Sequence, residues 1–160
     1  MAVPKGNPDD KLDPVAVKDF RSVVGCIGYM SCAFRPELSL ECSLMGRLFF
    51  GPTVHDAKIA NEVLAWAKEN RYVLTFRKGF AKSLTVFCDS AGPDEKGTQG
   101  GRLVALTDEN GHKVGAFLFW ESKKVKRVCK ATITGETLSA GEGHETAMWL
   151  QQVWFELTGH

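Results

Sequence analysis

The chain changes its hydrophobic period once, near Asn70, and that switch constrains its architecture more than any other feature. Before it, apolar residues recur at helical spacing between strong breakers. Asp13-Pro14 offers an N-cap followed by proline at the first helical position, and Val17, Phe20, Val24, Ile27 and Tyr29 follow. Arg35-Pro36 ends that helix. A second carries Leu38, Leu40, Leu44, Met45 and Leu48 as far as Phe49-Phe50, where Gly51-Pro52 breaks the chain. Thr53 then caps a third helix with Ile59, Val63, Leu64 and Trp66.

After Asn70 the signals are those of strands. Tyr72-Val-Leu-Thr-Phe76 reads as a strand and Lys78-Gly79 as a turn. Leu84-Thr-Val-Phe-Cys-Asp89 is a second run rich in β-formers. A glycine-rich loop spans 90–101, and strands at 102–106 and 114–120 flank the hairpin dipeptide Asn110-Gly111. A basic connection from 121 to 134 leads to a helix over 135–157, capped by Thr134. Its expected buried stripe is Leu138, Ala147, Met148, Leu150, Val153 and Trp154. The expected class is α+β, a three-helix amino-terminal unit followed by a β-β-β-α layer. Residues 1–13, with Pro4, Gly6 and Pro8, read as a loose tail.

With 44% hydrophobic residues in 160, the chain can bury a core for one domain or slightly more. Twenty Lys plus Arg against 19 Asp plus Glu leave +1, so only local clustering can argue for a polyanionic partner. No apolar run reaches the roughly 18 residues of a membrane span, and the start lacks a signal-peptide core. The expected setting is cytoplasmic or nuclear. Five cysteines without C-x-x-C spacing disfavour zinc, and four of them lie in apolar runs as expected buried thiols.

Two groups of residues could carry chemistry. Asp89 ends a strand and Glu136 opens the long helix, so both can stand at one sheet edge. Paired carboxylates of that kind are hard oxygen ligands for divalent ions, and two such ions can cleave a phosphodiester. An acid starting a loop and an acid favoured by a helix dipole would look the same. The other group is Ser122-Lys-Lys-Val-Lys-Arg-Val-Cys-Lys130, in which Lys123, Lys124, Lys126, Arg127 and Lys130 place five cations in eight residues. A phosphate-tracking groove needs such a run, and a solvated connector can also have one. Glu142 and Glu145 read as solvent-facing. His144-Glu145 lacks the second histidine of a zinc-protease helix, and Ser90 lacks a nucleophile-elbow context.

Several blocks in order resemble the copia-type retrotransposon polyprotein. Phe20-Arg-Ser-Val-Val-Gly-Cys-Ile-Gly-Tyr29 and Phe34-Arg-Pro-Glu37 are similar to that family's Y-R-S-L-V-G-x-L-x-Y and T-R-P-D, which follow the reverse transcriptase palm. Ala57-Lys-Ile-Ala-Asn-Glu-Val-Leu-Ala-Trp66 resembles its alanine-rich helix, and residues 72–76 resemble its G-L-x-F strand. Cys88-Asp-Ser-Ala91 matches S-D-A, and Trp120-Glu-Ser-Lys-Lys124 matches W-x-S-K-K. Ala131-Thr-Ile-Thr-Gly-Glu-Thr-Leu-Ser-Ala140 matches S-S-T-E-A-E-Y-x-A, and Ala147-Met-Trp-Leu150 matches A-x-W-L.

The resemblance implies a reverse transcriptase thumb or connection segment over 14–80 and the amino-terminal part of an RNase H-like domain over 81–160. It further implies Mg²⁺- or Mn²⁺-dependent hydrolysis of RNA in an RNA–DNA hybrid. Asp89 and Glu136 would be the catalytic, metal-binding acids. Lys123, Lys124, Lys126, Arg127 and Lys130 would contact hybrid or other nucleic acid, and the rest of a polyprotein would be a further partner. The alternative is a non-catalytic nucleic-acid-binding or interaction module of retroelement origin. Thr134 replaces an earlier glutamate of the helix-start block, and the loop after Asp89, with Asp94 and Glu95, is longer than the family's. The chain ends before the strand that carries the family's next aspartate, so isolated hydrolysis is expected to be poor.

Overall fold

The computed structural model describes residues 5–76, 83–91 and 97–159. The chain divides into two compact units, Met1–Val73 and Leu74–His160.

The first unit is helical. Helix α1 (Pro14–Ala33) starts where Asp13 Oδ1 accepts the Val15 and Ala16 amides at 2.8 and 2.9 Å. Its stripe buries Phe20, Val24 and Ile27. A 3₁₀ turn (Pro36–Leu38) leads to α2 (Ser39–Gly46) and then α3 (Val54–Glu69). Thr53 and Asp56 form a reciprocal capping box: the Thr53 amide donates to Asp56 Oδ2 at 2.8 Å, and the Asp56 amide donates to Thr53 Oγ1 at 3.3 Å. Helix α3 brings Ala57 and Ala60 to zero exposure, so its backbone approaches the Phe20–Ile27 stripe closely. Phe49 meets Phe20 edge-on at 6.4 Å. Helix α2 stops at Gly46, short of the sequence expectation, and the turn after it leaves Phe50 in solvent.

Arg35 ties these helices together. Its guanidinium is almost fully buried, donating to Ala67 O at 2.9 Å, to Asn70 O at 2.8 Å and to the Glu37 carboxylate. It also lies 5.8 Å from the Trp66 ring centroid. A residue from the α1–α2 junction thus satisfies carbonyls that the end of α3 leaves open.

The segment read as a loose tail is held from residue 8 onward. Leu12 N–H donates to Pro52 O and Val54 N–H to Asp10 O, both at 3.0 Å, and His55 N–H donates to Pro8 O at 3.0 Å. Lys11 bridges Thr53 and its Nζ donates to Gly51 O at 2.6 Å. Leu12 joins the core, so backbone pairing outweighs the disorder suggested by the prolines.

Residues 71–76 form no regular element, contrary to the strand read over 72–76. β-Formers make a strand only where a neighbouring backbone takes their polar groups. Val73 and Phe76 are exposed, and no ladder includes them among the described residues. The expected turn at Lys78-Gly79 lies outside the described residues.

The second unit is an antiparallel sheet covered by one helix. Strands β1 (Ser83–Ala91), β2 (Gln99–Thr107) and β3 (Val114–Lys124) stand in the order β1-β2-β3. Gly111, at φ 73°, makes the β2–β3 turn that Asn110-Gly111 foretells. There Asp108 Oδ1 accepts the His112 and Lys113 amides, and the Lys113 bond is the largest influence holding that carboxyl below its usual range. β2 begins earlier and β3 ends later than the sequence suggests.

Helix α4 (Thr132–Thr158) packs on β1 and β2. Thr134 does not cap it. The helix begins at Thr132 after Ala131, which supplies no side-chain cap, and it closes on Gly159 at φ 73°. Its buried stripe is not the expected one either, being Gly135, Ser139 and Gly143, while Met148 and Trp154 are about half exposed. A Cβ on Gly143 would fall far inside contact with Cys88 Sγ and 3.0 Å from Val86 Cγ1. One on Gly135 would lie 2.8 Å from Ser90 Oγ. Small residues at i, i+4 and i+8 therefore let the helix axis sink toward the strands.

Of the thiols expected to be buried, Cys26 and Cys32 are exposed, whereas Cys42 and Cys88 are half-buried. Desolvation pushes both half-buried thiols upward in pKa.

Candidate functional site

Which face each β1 residue takes follows from what α4 touches. Gly143 abuts Val86 and Cys88, and Gly135 abuts Ser90, so the even-numbered side chains of β1 face the helix. Alternation then sends Asp89 to the other face of the sheet. It is exposed, stands opposite Gly101 in the ladder, and its Oδ1 accepts the Ser90 amide at 2.8 Å. Glu136 rides on α4, one residue beyond Gly135, and is exposed. The Ser90–Gly135 contact thus brings the two acids to the same end of the sheet, while the backbone directs Asp89 away from the helix that bears Glu136.

Two hard cations held about 3.5–4 Å apart need carboxylates that converge on shared space. Among the described residues there is no cluster of three or more His, Cys, Asp or Glu side chains able to hold a metal ion. Asp89 and Glu136 belong to no such cluster among the described residues. Asp94 and Glu95 lie outside the described residues.

The basic run separates into two kinds of residue. Lys123, on β3, lies 3.0 Å from Glu142 and 3.4 Å from Glu121. Arg102 of β2 reaches the same two acids at 3.3 and 2.5 Å, with its guanidinium 5.4 Å from the Phe119 ring centroid. These four charges join β2, β3 and α4, so Lys123 is engaged within the fold and Glu142 is not the free surface acid expected from sequence. A cleft of about 340 Å³ beside them is lined by Arg102, Phe119, Glu145, Thr146 and Trp149.

Lys124, Lys126, Arg127 and Lys130 differ. All four are exposed and none pairs with an acid among the described residues. The loop that carries them is fixed at two points. Val125 N–H donates to Thr98 O at 2.9 Å, and buried Cys129 turns inward with Sγ 3.6 Å from Arg127 O. The two inward anchors leave the cations outward, immediately before the start of α4. That helix end has no side-chain cap and no acid in its first turn, so its positive pole adds to the field of the loop.

Sequence reasoning missed Arg102 and Glu121 as partners. A signal was present, since Cys88 and Arg102 pair directly across the ladder and so share the covered face. Only knowledge of the register reveals it.

No protein-family model matches the chain, and no solved structure matches it. It is 30% identical over 131 residues to a Saccharomyces cerevisiae protein whose name places it with transposon Ty5-1. The match covers 79% of this chain, which spans 40% of that relative's length. The chain is thus related to a transposon protein.

Proposed function

We propose that this chain is a retroelement-derived, copia-like segment whose second unit binds nucleic acid through residues 124–130 and does not hydrolyse it unaided. The observation that carries this reading is the anchored loop: Val125 and Cys129 turn inward while Lys124, Lys126, Arg127 and Lys130 face solvent beside the uncapped start of α4. The transposon relative supports the origin. The order β1-β2-β3-α4 supports an RNase H-like layer for the second unit. Hydrolysis of the RNA strand of a hybrid would need the Asp89 and Glu136 carboxylates to converge, and the rest of a polyprotein is the natural source of further acids.

The test is binding of a labelled RNA–DNA hybrid by fluorescence anisotropy over a salt series, with a cleavage assay in Mg²⁺ and in Mn²⁺. Each phosphate neutralised contributes about 0.9 to the slope of log affinity against log salt on a B-form duplex, so four contacts supply roughly 3 to 4. Replacing Lys124, Lys126, Arg127 and Lys130 by alanine removes that slope. Asp89→Asn leaves affinity unchanged and no cleavage is seen. A slope indifferent to the four replacements overturns the loop assignment. Metal-dependent cleavage abolished by Asp89→Asn restores the hydrolytic reading.

A further inference from the structure

Two contacts fix how α2 folds back along α1. Ser31 Oγ of α1 lies 3.0 Å from Ser39 Oγ of α2, and a Cβ built on Gly28 would lie 3.2 Å from Cys42 Sγ. Stepping from residue 31 back to 28 on one helix advances from 39 to 42 on the other, so the two run antiparallel where they touch. Gly28, having no side chain, leaves the room against α1 that the Cys42 sulfur takes.

Two exposed thiols share α1 with Gly28, and helix geometry tells them apart. At about 100° per residue Cys32 stands about 40° around the axis from Gly28 and one turn along, whereas Cys26 stands about 160° away, on the opposite side. Residues four apart hold their Cβ atoms about 5–6 Å from each other, and helical side chains lean toward the amino terminus. A thiol at residue 32 therefore leans back over Gly28, toward the Cys42 sulfur. Electrostatics agrees: burial is the main cause raising the Cys42 thiol, and the neighbouring Cys32 raises it further. Both cysteines are free thiols.

We infer that Cys32 and Cys42 form a reversible dithiol–disulfide couple across the α1–α2 junction, with glutathione disulfide as the oxidant. Access sets the order of events, because Cys32 is exposed and Cys42 half-buried. The Cys32 thiolate attacks one sulfur of glutathione disulfide, forming a mixed disulfide and releasing one glutathione thiolate. The Cys42 thiolate then attacks Cys32 Sγ and expels the second. Two protein thiols give up two protons and two electrons, and one glutathione disulfide becomes two glutathione thiols. The ring so closed contains Arg35, which donates to Ala67 O and Asn70 O, so the bond fastens the segment that holds the end of α3. This inference concerns the first unit alone and is independent of the nucleic-acid reading.

Mass spectrometry of the native full chain, treated with glutathione disulfide and then cleaved after Glu37 and Glu41, tests it. The expected product is a chain lighter by two hydrogens, with the peptide ending at Glu37 linked to the one beginning at Cys42. Dithiothreitol reverses the change. Cys26→Ser leaves the link intact, Cys32→Ser abolishes it, and Cys42→Ser leaves a glutathione adduct standing on Cys32. Hydrogen exchange gives a second readout that a surface adduct would not move. Closing a ring of this size shifts an unfolding equilibrium by roughly a hundredfold, and the slowest-exchanging amides of α1 and α2 should slow by that factor. Glutathione adducts that persist on Cys26 and Cys32 alike, with no link to Cys42, overturn the proposal. So does a link that forms only in urea, or one made by Cys26.

Discussion

Gly143→Ala is expected to destabilise the second unit by about 2 kcal/mol, although alanine is the better helix former. Helix propensity alone favours the replacement by up to about 1 kcal/mol. Packing opposes it, because the added methyl falls on Cys88 Sγ and within 3.0 Å of Val86 Cγ1. Overpacking of a tight contact typically costs about 1–3 kcal/mol, and here neither neighbour can retreat easily, since both lie on a paired strand. The partner is testable by a double-mutant cycle. Cys88→Ala removes the obstructing sulfur, and in that background Gly143→Ala should be close to neutral or favourable. Residue-resolved hydrogen exchange of α4 amides reads the effect without interference from the first unit. Equal costs in both backgrounds would show that Cys88 is not what the helix rests upon.

Arg35→Ala is expected to destabilise the first unit by about 3–5 kcal/mol, the usual range for removing one partner of a buried ion pair. The loss strands the Ala67 and Asn70 carbonyls as well as Glu37, all of which receive the guanidinium. Arg35→Lys should recover little, because one ammonium cannot span three acceptors that the planar fork meets together. Trp66 lies beside the guanidinium and is the single tryptophan of residues 1–73, but three more occupy the second unit. Hydrogen exchange at α3 amides in a urea series is therefore the cleaner measurement. A loss below about 1 kcal/mol would mean that solvent replaces these bonds without penalty.

Much of the fold could be read because its signals are local. Asp13-Pro14 starts α1, Thr53 and Asp56 start α3, and Asn110-Gly111 turns β2 into β3, each through atoms a few residues apart. What escaped reading depends on distant partners. Residues 72–76 have strand composition but no neighbour to pair with, and Pro8 to Leu12 has the composition of a tail but meets residues 51–55. The stripe of α4 was misread because hydrophobicity was sought where small size governs the packing, at Gly135, Ser139 and Gly143.

The same division applies to the site. Spacing placed Asp89 at a strand end, and it stands two residues before the end of β1; Glu136, expected to open the long helix, lies in its second turn because α4 begins at Thr132. Their directions depend on which face of β1 the helix covers, and the contact of Ser90 with Gly135 decides that. Charge density marked the run 123–130 correctly as basic. It could not separate Lys123, spent on Glu121 and Glu142, from the four cations that remain free of acids among the described residues.

The ties made by Pro8, Asp10, Lys11 and Leu12 bear on how the molecule can be dissected. A fragment cut at Pro14, where helical periodicity begins, would discard the acceptors of the Val54 and His55 amides and uncover the hydrophobic floor beneath Leu12. Fusion junctions and affinity tags therefore belong ahead of Pro8, where they leave those bonds in place.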